Sequence, residues 1–475
     1  MASPAIIESK PRSVNPASGD ILEEYKFQSD LEVSNFLDRA IKVQKKWRAS
    51  GLTERSAVLR RVANSLRSNK EALARDITLE MGKPVTEAEA EVEKCAWNCD
   101  YVAEKGPQWL SDEPAQTNAS ESYVSFLPLG TILAIMPWNF PLWQVFRFSA
   151  PALMAGNAIL LKHAPNVMRC ALNITKIFHE GGLPEGVFQN LIVPVEKIAR
   201  IIVDARVAAA TVTGSPRAGA AVAAQAGAAL KKTVLELGGS DAFIVLPDAD
   251  LDMAVAAALR GRFSNCGQVC LAPKRFVLVK GIAEVFEEKL AAGVAQLCVG
   301  DPLERATQLG PMARADLRNE LDRQVQDSLR AGARVVAGGR RREGKGYFYE
   351  PTVLADLTPA MPVVREETFG PVAALIRADS AEDALELTNS SEYGLSSNIW
   401  TQDVARAREY ARRIDAGGVF INGVTASDPR VPVGGTKRSG YGRELASFGI
   451  REFVNIQTVW IGPPRGATPA DDTTE

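Results

Sequence analysis

From Gly130 onward, uninterrupted apolar runs of strand length alternate with amphipathic or alanine-rich runs of helix length. GTILAIM (Gly130 to Met136), NAILLKH (Asn157 to His163), NLIVP (Asn190 to Pro194) and AAATVTG (Ala208 to Gly214) read as strands buried on both faces. The helical run between the second and third closes at Gly181-Gly182, as a helix C-terminus should. This rhythm predicts an α/β fold, a parallel sheet with helices on both faces, whose ligands bind beyond the carboxyl ends of the strands. Earlier, Thr53 to Met81 has helical periodicity with Thr53 as the expected N-cap, and Gly82-Lys83-Pro84 separates it from a helix over Glu87 to Ala103. These opening helices show no catalytic grouping and read as packing elements. A second α/β set follows, with a helix around Glu284 to Leu297. Asn422 to Gly442 is a glycine- and proline-rich loop of binding type, and the alternating Glu452 to Trp460 is a late strand, added to a sheet elsewhere or in another subunit.

At 475 residues the chain exceeds one hydrophobic core, so two or three domains are expected. A net charge of −2 without a basic block argues against a nucleic-acid partner. Six cysteines in so long a chain fit a reducing compartment better than a disulfide scaffold, and with only two histidines no metal set assembles. The uncharged stretch from Ser122 to Phe146 is long enough to suggest a membrane span, but Pro128, Pro137, Asn139, Pro141 and Gln144 break it. No apolar segment of signal-peptide length opens the chain, and a cytoplasmic protein without membrane contact is expected. Pro463 to Glu475 reads as a disordered polar tail.

The candidate chemistry gathers around Arg262 to Ala272, RFSNCGQVCLA, in a turn between an expected helix and an expected strand over Phe276 to Val279. Cys270 there is either a nucleophile or an ordinary buried thiol. Asn139, in Pro137-Trp138-Asn139-Phe140-Pro141, can offer a side-chain N–H to an oxyanion or close an Asx-turn. Lys162 ends the second strand. Gly214-Ser215-Pro216-Arg217-Ala218-Gly219 is no dinucleotide fingerprint, yet Pro216 at a helix start leaves N–H groups free for a phosphate. Glu236, before Leu237-Gly238-Gly239, is a strand-end carboxylate able to act as a base or to sit in a turn. Glu366 to Pro371 sets an acid, Glu367, two residues from Phe369.

PWNFP, Lys162, GSPRAG, ELGGSD, NCGQVC and EETFGPV, in this order from about Val14 to Val459, resemble the aldehyde dehydrogenase superfamily. LKHAPN, SDPRVP and GGTKRSGYGREL are most similar to its succinate-semialdehyde branch. The resemblance implies Cys270 as nucleophile, Glu236 as base and Asn139 as oxyanion donor. It implies NADP or NAD held by Trp138, Lys162, Pro165, Gly214, Ser215, Gly219, Leu237, Glu367 and Phe369. It also implies a Rossmann-type cofactor domain, an α/β catalytic domain and a small β oligomerisation arm, in a homodimer or homotetramer. The expected divisions are 1–120 for the opening helices with part of the arm, 121–240 for cofactor, 241–430 for catalysis, and 431–475 for a loop, the oligomerisation strand and the tail.

Three positions depart from the family pattern. Pro165 replaces an acid that hydrogen-bonds a ribose 2′-hydroxyl, which predicts use of NADP. Val433 replaces a phenylalanine at the substrate mouth, and Ser264 replaces an arginine of many succinate-semialdehyde relatives. Arg147, eight residues or about two turns beyond Asn139, is then the expected partner of a substrate carboxylate, with Ser427 adding a hydroxyl and Trp143 a wall. Its competing role is an ion pair with an acid from a neighbouring element. Cys266 is either a disulfide partner for Cys270 or a buried thiol. The alternatives in function are a broad aliphatic or aromatic aldehyde dehydrogenase, and a catalytically silent structural relative. A CoA-acylating enzyme is disfavoured because Glu236 is present.

Overall fold

The computed structural model describes residues 10–462, so the expected tail from Pro463 and the first nine residues lie outside the described residues. Three sheets position the site. In the first, the strands run in the order Gly440–Tyr441, Lys232–Glu236, Ala209–Thr213, Thr131–Met136, Ala158–His163, Phe188–Asn190. All pairings are parallel except the edge, where Gly440 and Tyr441 run antiparallel to Glu236 and Leu235. The strand order reverses direction between Thr131–Met136 and Ala209–Thr213, which makes that gap the switch point of a doubly wound sheet.

The third expected strand is displaced. Phe188–Asn190 pairs with Ile159 to Leu161, whereas Leu191 to Pro194 leaves the ladder. There Gln28 takes over: its backbone N–H donates to the Ile192 carbonyl at 2.9 Å, and its side-chain oxygen accepts from Ile192 N–H at 3.1 Å. The apolar run marked burial, and a side-chain amide met the backbone need that a strand would have met.

The chain crosses from the first sheet to the second within four residues, from Glu236, the last of its strand, to Asp241, the first of the next. The second sheet runs Arg334–Ala337, Thr352–Ala355, Val372–Ala378, Pro273–Val279, Asp241–Val245, Ser396–Trp400, Gly418–Ile421, antiparallel only at its first pair. Between helix Leu251–Phe263 and strand Pro273–Val279 lies the cysteine turn.

The late strand is Val454–Ile461, paired antiparallel along Glu121–Pro128 in the same chain. It leaves Ile456, Trp460 and Ile461 exposed. Ser122 to Phe146 resolves into that neighbouring strand, strand Thr131–Met136 and the start of helix Trp143–Met154, and no helix among the described residues is long and apolar enough to cross a membrane.

After a first helix, Asp30–Ala49, the helices expected from Thr53 onward are Leu52–Ser68, Lys70–Met81 and Val85–Trp109. Thr53 is not a cap: the extended residue that starts the helix is Gly51, so Thr53 falls inside the first turn. Gly82 closes the second helix in the left-handed conformation, as its place in the punctuation suggests.

Candidate active site

The cysteine turn is held by its backbone. Asn265, Cys266 and Gly267 all adopt positive φ, at 52°, 54° and 68°. A side chain at Gly267 would collide with the Gly370 carbonyl and with the Arg262 guanidinium, so this position requires glycine. Arg262, fully buried, donates to the Gly267 carbonyl at 2.8 Å, to Pro273 at 3.2 Å and to Gly370 in a short bond. It thereby ties the turn to the segment carrying Phe369, and burial, only partly offset by Cys266 and Glu367, pushes its pKa down to about 10. Lys274, also buried, donates to the Cys270 carbonyl at 2.6 Å and to Val269 at 3.2 Å, fixing the main chain of the nucleophile.

Asn139 is buried beside this turn. Its side-chain nitrogen donates to the Gln268 carbonyl at 3.0 Å, and its own carbonyl accepts from Asn265 Nδ2 at 2.8 Å. One of its two amide N–H groups is thus spent on orientation and the other remains for a ligand. His163 fixes the same segment from below: its Nδ1 accepts from Ala164 N–H and its Nε2 donates to the Pro141 carbonyl, both at 2.8 Å. Burial pushes this histidine down to about 4, so it stays neutral and supplies no base to Cys270.

The half-buried Cys270 thiol is pushed up to about 11 by burial, against the pull of Arg147 and Lys274. Cys266 is buried among apolar side chains under the second sheet; both thiols are free, and burial raises Cys266 still further.

Glu236 is buried opposite, with its Oε1 accepting no hydrogen bond. Burial pushes it up to about 8, opposed by the Arg147 guanidinium, whose Nη2 stands 3.9 Å from Glu236 Oε2. The glycine-rich loop closes over this carboxylate. A Cβ at Gly434 would lie 2.7 Å from Glu236 Oε1, while Val433 and Glu444 exchange backbone hydrogen bonds of 2.9 Å. Arg147 is fully buried and its Nε is committed to Glu444 in a short ion pair. The competing role, an ion pair with an acid from a neighbouring element, is thus met at Nε, while Nη2 keeps no hydrogen-bond acceptor. Spacing along one helix placed Arg147 near Asn139, but an acid 297 residues away takes its guanidinium edge.

The reading of the opening helices as packing elements is corrected too. Helix Val85–Trp109 aligns Glu87, Glu91, Lys94 and Asn98 on one face. Glu87 accepts from Asn265 N–H at 2.7 Å, and burial raises its pKa. Glu91 accepts from the N–H groups of Leu142 and Trp143, both at 2.9 Å, and pairs with buried Lys83, whose ammonium lies 3.6 Å from the Phe140 ring centroid. Asn98 donates to the Phe146 carbonyl at 2.9 Å. Lys94 donates to Ser427 Oγ at 2.9 Å, and Trp143 Nε1 donates to the same oxygen at 3.0 Å. Charges at positions 87, 91 and 94 look like a solvated face in the sequence; their i, i+4, i+7 spacing was the available signal.

The other expected cofactor positions stand at or beside the carboxyl ends of the first sheet's strands, on both sides of the switch point. Met136 leads into Trp138, and the Trp138 and Phe369 rings meet edge to face with centroids 5.7 Å apart. Thr213 leads into Gly214 and helix Pro216–Ala228, where Ser215 is the N-cap and accepts from Ala218 N–H at 3.3 Å. A side chain at Gly219 would collide with Leu237, so this glycine seats Leu237 against the helix. Lys162 and Pro165 stand one strand further across, at the carboxyl end of Ala158–His163. Glu367 lies against Gly238-Gly239, accepting from Gly239 N–H at 3.0 Å with Lys274 at 3.4 Å. Backbone N–H groups at a helix start, glycines where side chains would intrude and a lysine at a strand end suit a dinucleotide.

The aldehyde dehydrogenase family pattern matches residues 6–459 of the chain. The chain belongs to the aldehyde dehydrogenase family. Among similar relatives, the NAD(P)+ succinate semialdehyde dehydrogenase Sad of Escherichia coli strain K12 is 53% identical over 94% of this chain and 97% of its own. The NADP+ succinate-semialdehyde dehydrogenase 1 of Mycobacterium tuberculosis strain H37Rv is 48% identical over 94% of this chain and 99% of its own. The succinic semialdehyde dehydrogenase of Streptococcus pyogenes, solved with NADP+, superposes with a TM-score of 0.93 at 38% identity, covering 95% of this chain and all of that one. The aldehyde dehydrogenase fold and an NAD(P)-dependent dehydrogenase activity follow from these matches; a catalytically silent relative does not fit them.

Proposed function

We propose that the protein oxidises succinate semialdehyde to succinate with NADP or NAD, through a thiohemiacetal and then a thioester on Cys270. The observation that carries this reading is the convergence at one sheet-to-sheet crossing of a fixed thiol, a buried base without a hydrogen bond on Oε1, and an amide N–H to spare. Near-full-length relatives named for this substrate support the choice of aldehyde.

The resting thiol is protonated at neutral pH, so attack requires Cys270, which is only half-buried, to lose its proton to solvent water as the aldehyde binds; Arg147 and Lys274 supply the positive field that favours the thiolate. Attack on the carbonyl carbon places negative charge on oxygen, which Asn139 Nδ2 stabilises. A bound nicotinamide, held by the residues around Trp138, Lys162, Gly214, Leu237 and Phe369, supplies the hydride acceptor. Glu236, as carboxylate, then takes a proton from the water that cleaves the thioester.

Pro165 supports NADP use, because no acid at that position opposes a 2′-phosphate beside Lys162. The six free cysteines support a reducing, cytoplasmic setting. The exposed Ile456, Trp460 and Ile461 on the last strand support a homodimer or homotetramer, with that strand and Glu121–Pro128 as its arm. In this reading the first sheet is the cofactor domain and the second the catalytic domain. An assay of NAD(P)H formation with succinate semialdehyde, butanal and benzaldehyde tests the proposal. The highest kcat/KM for succinate semialdehyde supports it, and a preference for either uncharged aldehyde overturns it.

A further inference from the structure

Lys274 is the second residue of strand Pro273–Val279, and its side chain is fully buried. Its ammonium faces two different parts of the site. On one side it donates to the Cys270 carbonyl at 2.6 Å and to the Val269 carbonyl at 3.2 Å. Val269 also accepts from Ala272 N–H, but among the described residues the Cys270 carbonyl accepts from Lys274 alone. On the other side the ammonium stands 3.4 Å from Glu367 Oε1. Three N–H donors thus meet three acceptors. Asp241, whose charge Lys274 also feels, is already taken by the N–H and O–H of Ser396.

Holding carbonyl oxygens does not by itself call for a charge. In the same turn, neutral amides do that work: Asn139 Nδ2 donates to Gln268, and Gln268 Nε2 donates to Asn265 at 3.1 Å. A buried ammonium is costly unless an opposite charge meets it, and here that charge is Glu367. Glu367 is itself held on one oxygen only. Oε1 accepts from Gly239 N–H at 3.0 Å, and a side chain at Gly238 would collide with Oε2, so the carboxylate lies close against this glycine pair. Among the described residues Oε2 accepts no hydrogen bond, and the side chain is 17% exposed, which leaves that oxygen for hydroxyl donors of a ligand.

We propose that Lys274 is a positioning residue that ties Glu367, an acid for the cofactor, to the main chain of Cys270, so that one ammonium sets the nucleophile and the hydride acceptor relative to each other. This rests on the reading of Glu367 as a cofactor-binding residue. The charged groups that face Cys270 are Arg147 and Lys274, which favour the thiolate, and Glu367 and Glu236, which oppose it. Lys274 and Glu367 therefore act on the same thiol with opposite sign.

The test compares Lys274→Met, Lys274→Gln, Glu367→Gln and the double variant Lys274→Met with Glu367→Gln. In the cofactor-free enzyme, alkylation of Cys270 by iodoacetamide is followed against pH by mass spectrometry of its peptide. The midpoint should rise in Lys274→Met, fall in Glu367→Gln and return toward wild type in the double variant. Rapid mixing with NADP and succinate semialdehyde then reads the burst of NADPH. Its rate constant should fall about tenfold to a hundredfold in each single variant, with KM for the aldehyde little changed. The double variant should be no slower than the slower single one. Butanal should show the same losses, because the bridge touches no part of the aldehyde. Lys274→Gln, which keeps neutral donors, should follow Lys274→Met, and wild-type behaviour in it overturns the proposal. So do losses that multiply in the double variant, a lower burst amplitude at an unchanged rate constant, or failure of both Lys274 variants to fold, since each makes the ammonium merely structural. Unchanged NADP binding and burst in Glu367→Gln sink the cofactor reading of Glu367 and Lys274 with it. A loss in Glu367→Gln that Lys274→Met does not share sinks Lys274 alone.

Discussion

The two halves of the site are built differently. On the nucleophile's side, Arg262 and Lys274 spend their charges on carbonyl oxygens of Gly267, Gly370, Val269 and Cys270, and Asn139 and Gln268 complete the fixation. On the base's side, Glu236, Arg147 and Glu444 form a buried charge cluster in which each has a fully buried polar atom without a hydrogen bond. The first arrangement fixes a backbone to within a narrow geometry. The second leaves a carboxylate free to exchange a proton, with its pKa raised chiefly by burial and opposed chiefly by the Arg147 guanidinium. Position is assigned to one side and proton affinity to the other.

Removing the thiol is the most severe way to break that division. Cys270→Ala should abolish NAD(P)H formation while the thermal transition stays in place, because the turn is held by the backbone; residual turnover would move the nucleophile elsewhere. Arg147→Ala tests the other side. It strands Glu444 in the interior, so it should cost about 3–5 kcal/mol in denaturant unfolding and lower activity on charged and uncharged aldehydes alike. Selective loss on succinate semialdehyde would put Arg147 in direct contact with the substrate. Asn139→Ala should lower kcat about a hundredfold, measured at saturating aldehyde. A change in KM only would leave it a positioning group. The smallest effect is expected at the cofactor: Pro165→Glu should shift the NADP-to-NAD ratio of kcat/KM several-fold toward NAD, and an unchanged ratio would break the ribose-pocket reading.

Much of this was legible because buried parallel strands leave continuous apolar runs. Thr131–Met136, Ala158–His163 and Ala209–Thr213 stand where the runs place them, and the motifs follow the strand ends. The missed features depend on distant partners. Arg262 reads as a basic residue in a helix's last turn until Gly370, 108 residues on, supplies its acceptor. Lys83 reads as punctuation until Glu91 and Phe140 bury it. The charges of helix Val85–Trp109 follow its period correctly, but sequence cannot say that this face looks inward. Thr53 and the Asn190–Pro194 run failed locally, where Gly51 and Gln28 met the backbone's needs instead.

The account's central claim is that Glu236 acts after hydride transfer, as base for the thioester, and that its pKa near 8 governs that step. As pH rises through about 8, more Glu236 becomes carboxylate, so hydrolysis-limited turnover should rise over that window and level above it. Rapid mixing of Glu236→Gln with succinate semialdehyde and NADP measures the claim directly. The expected result is a burst of NADPH near one equivalent per active site, then a slow steady state that no longer rises through that window. Loss of the burst itself, or wild-type steady-state turnover with its pH rise intact, would contradict it.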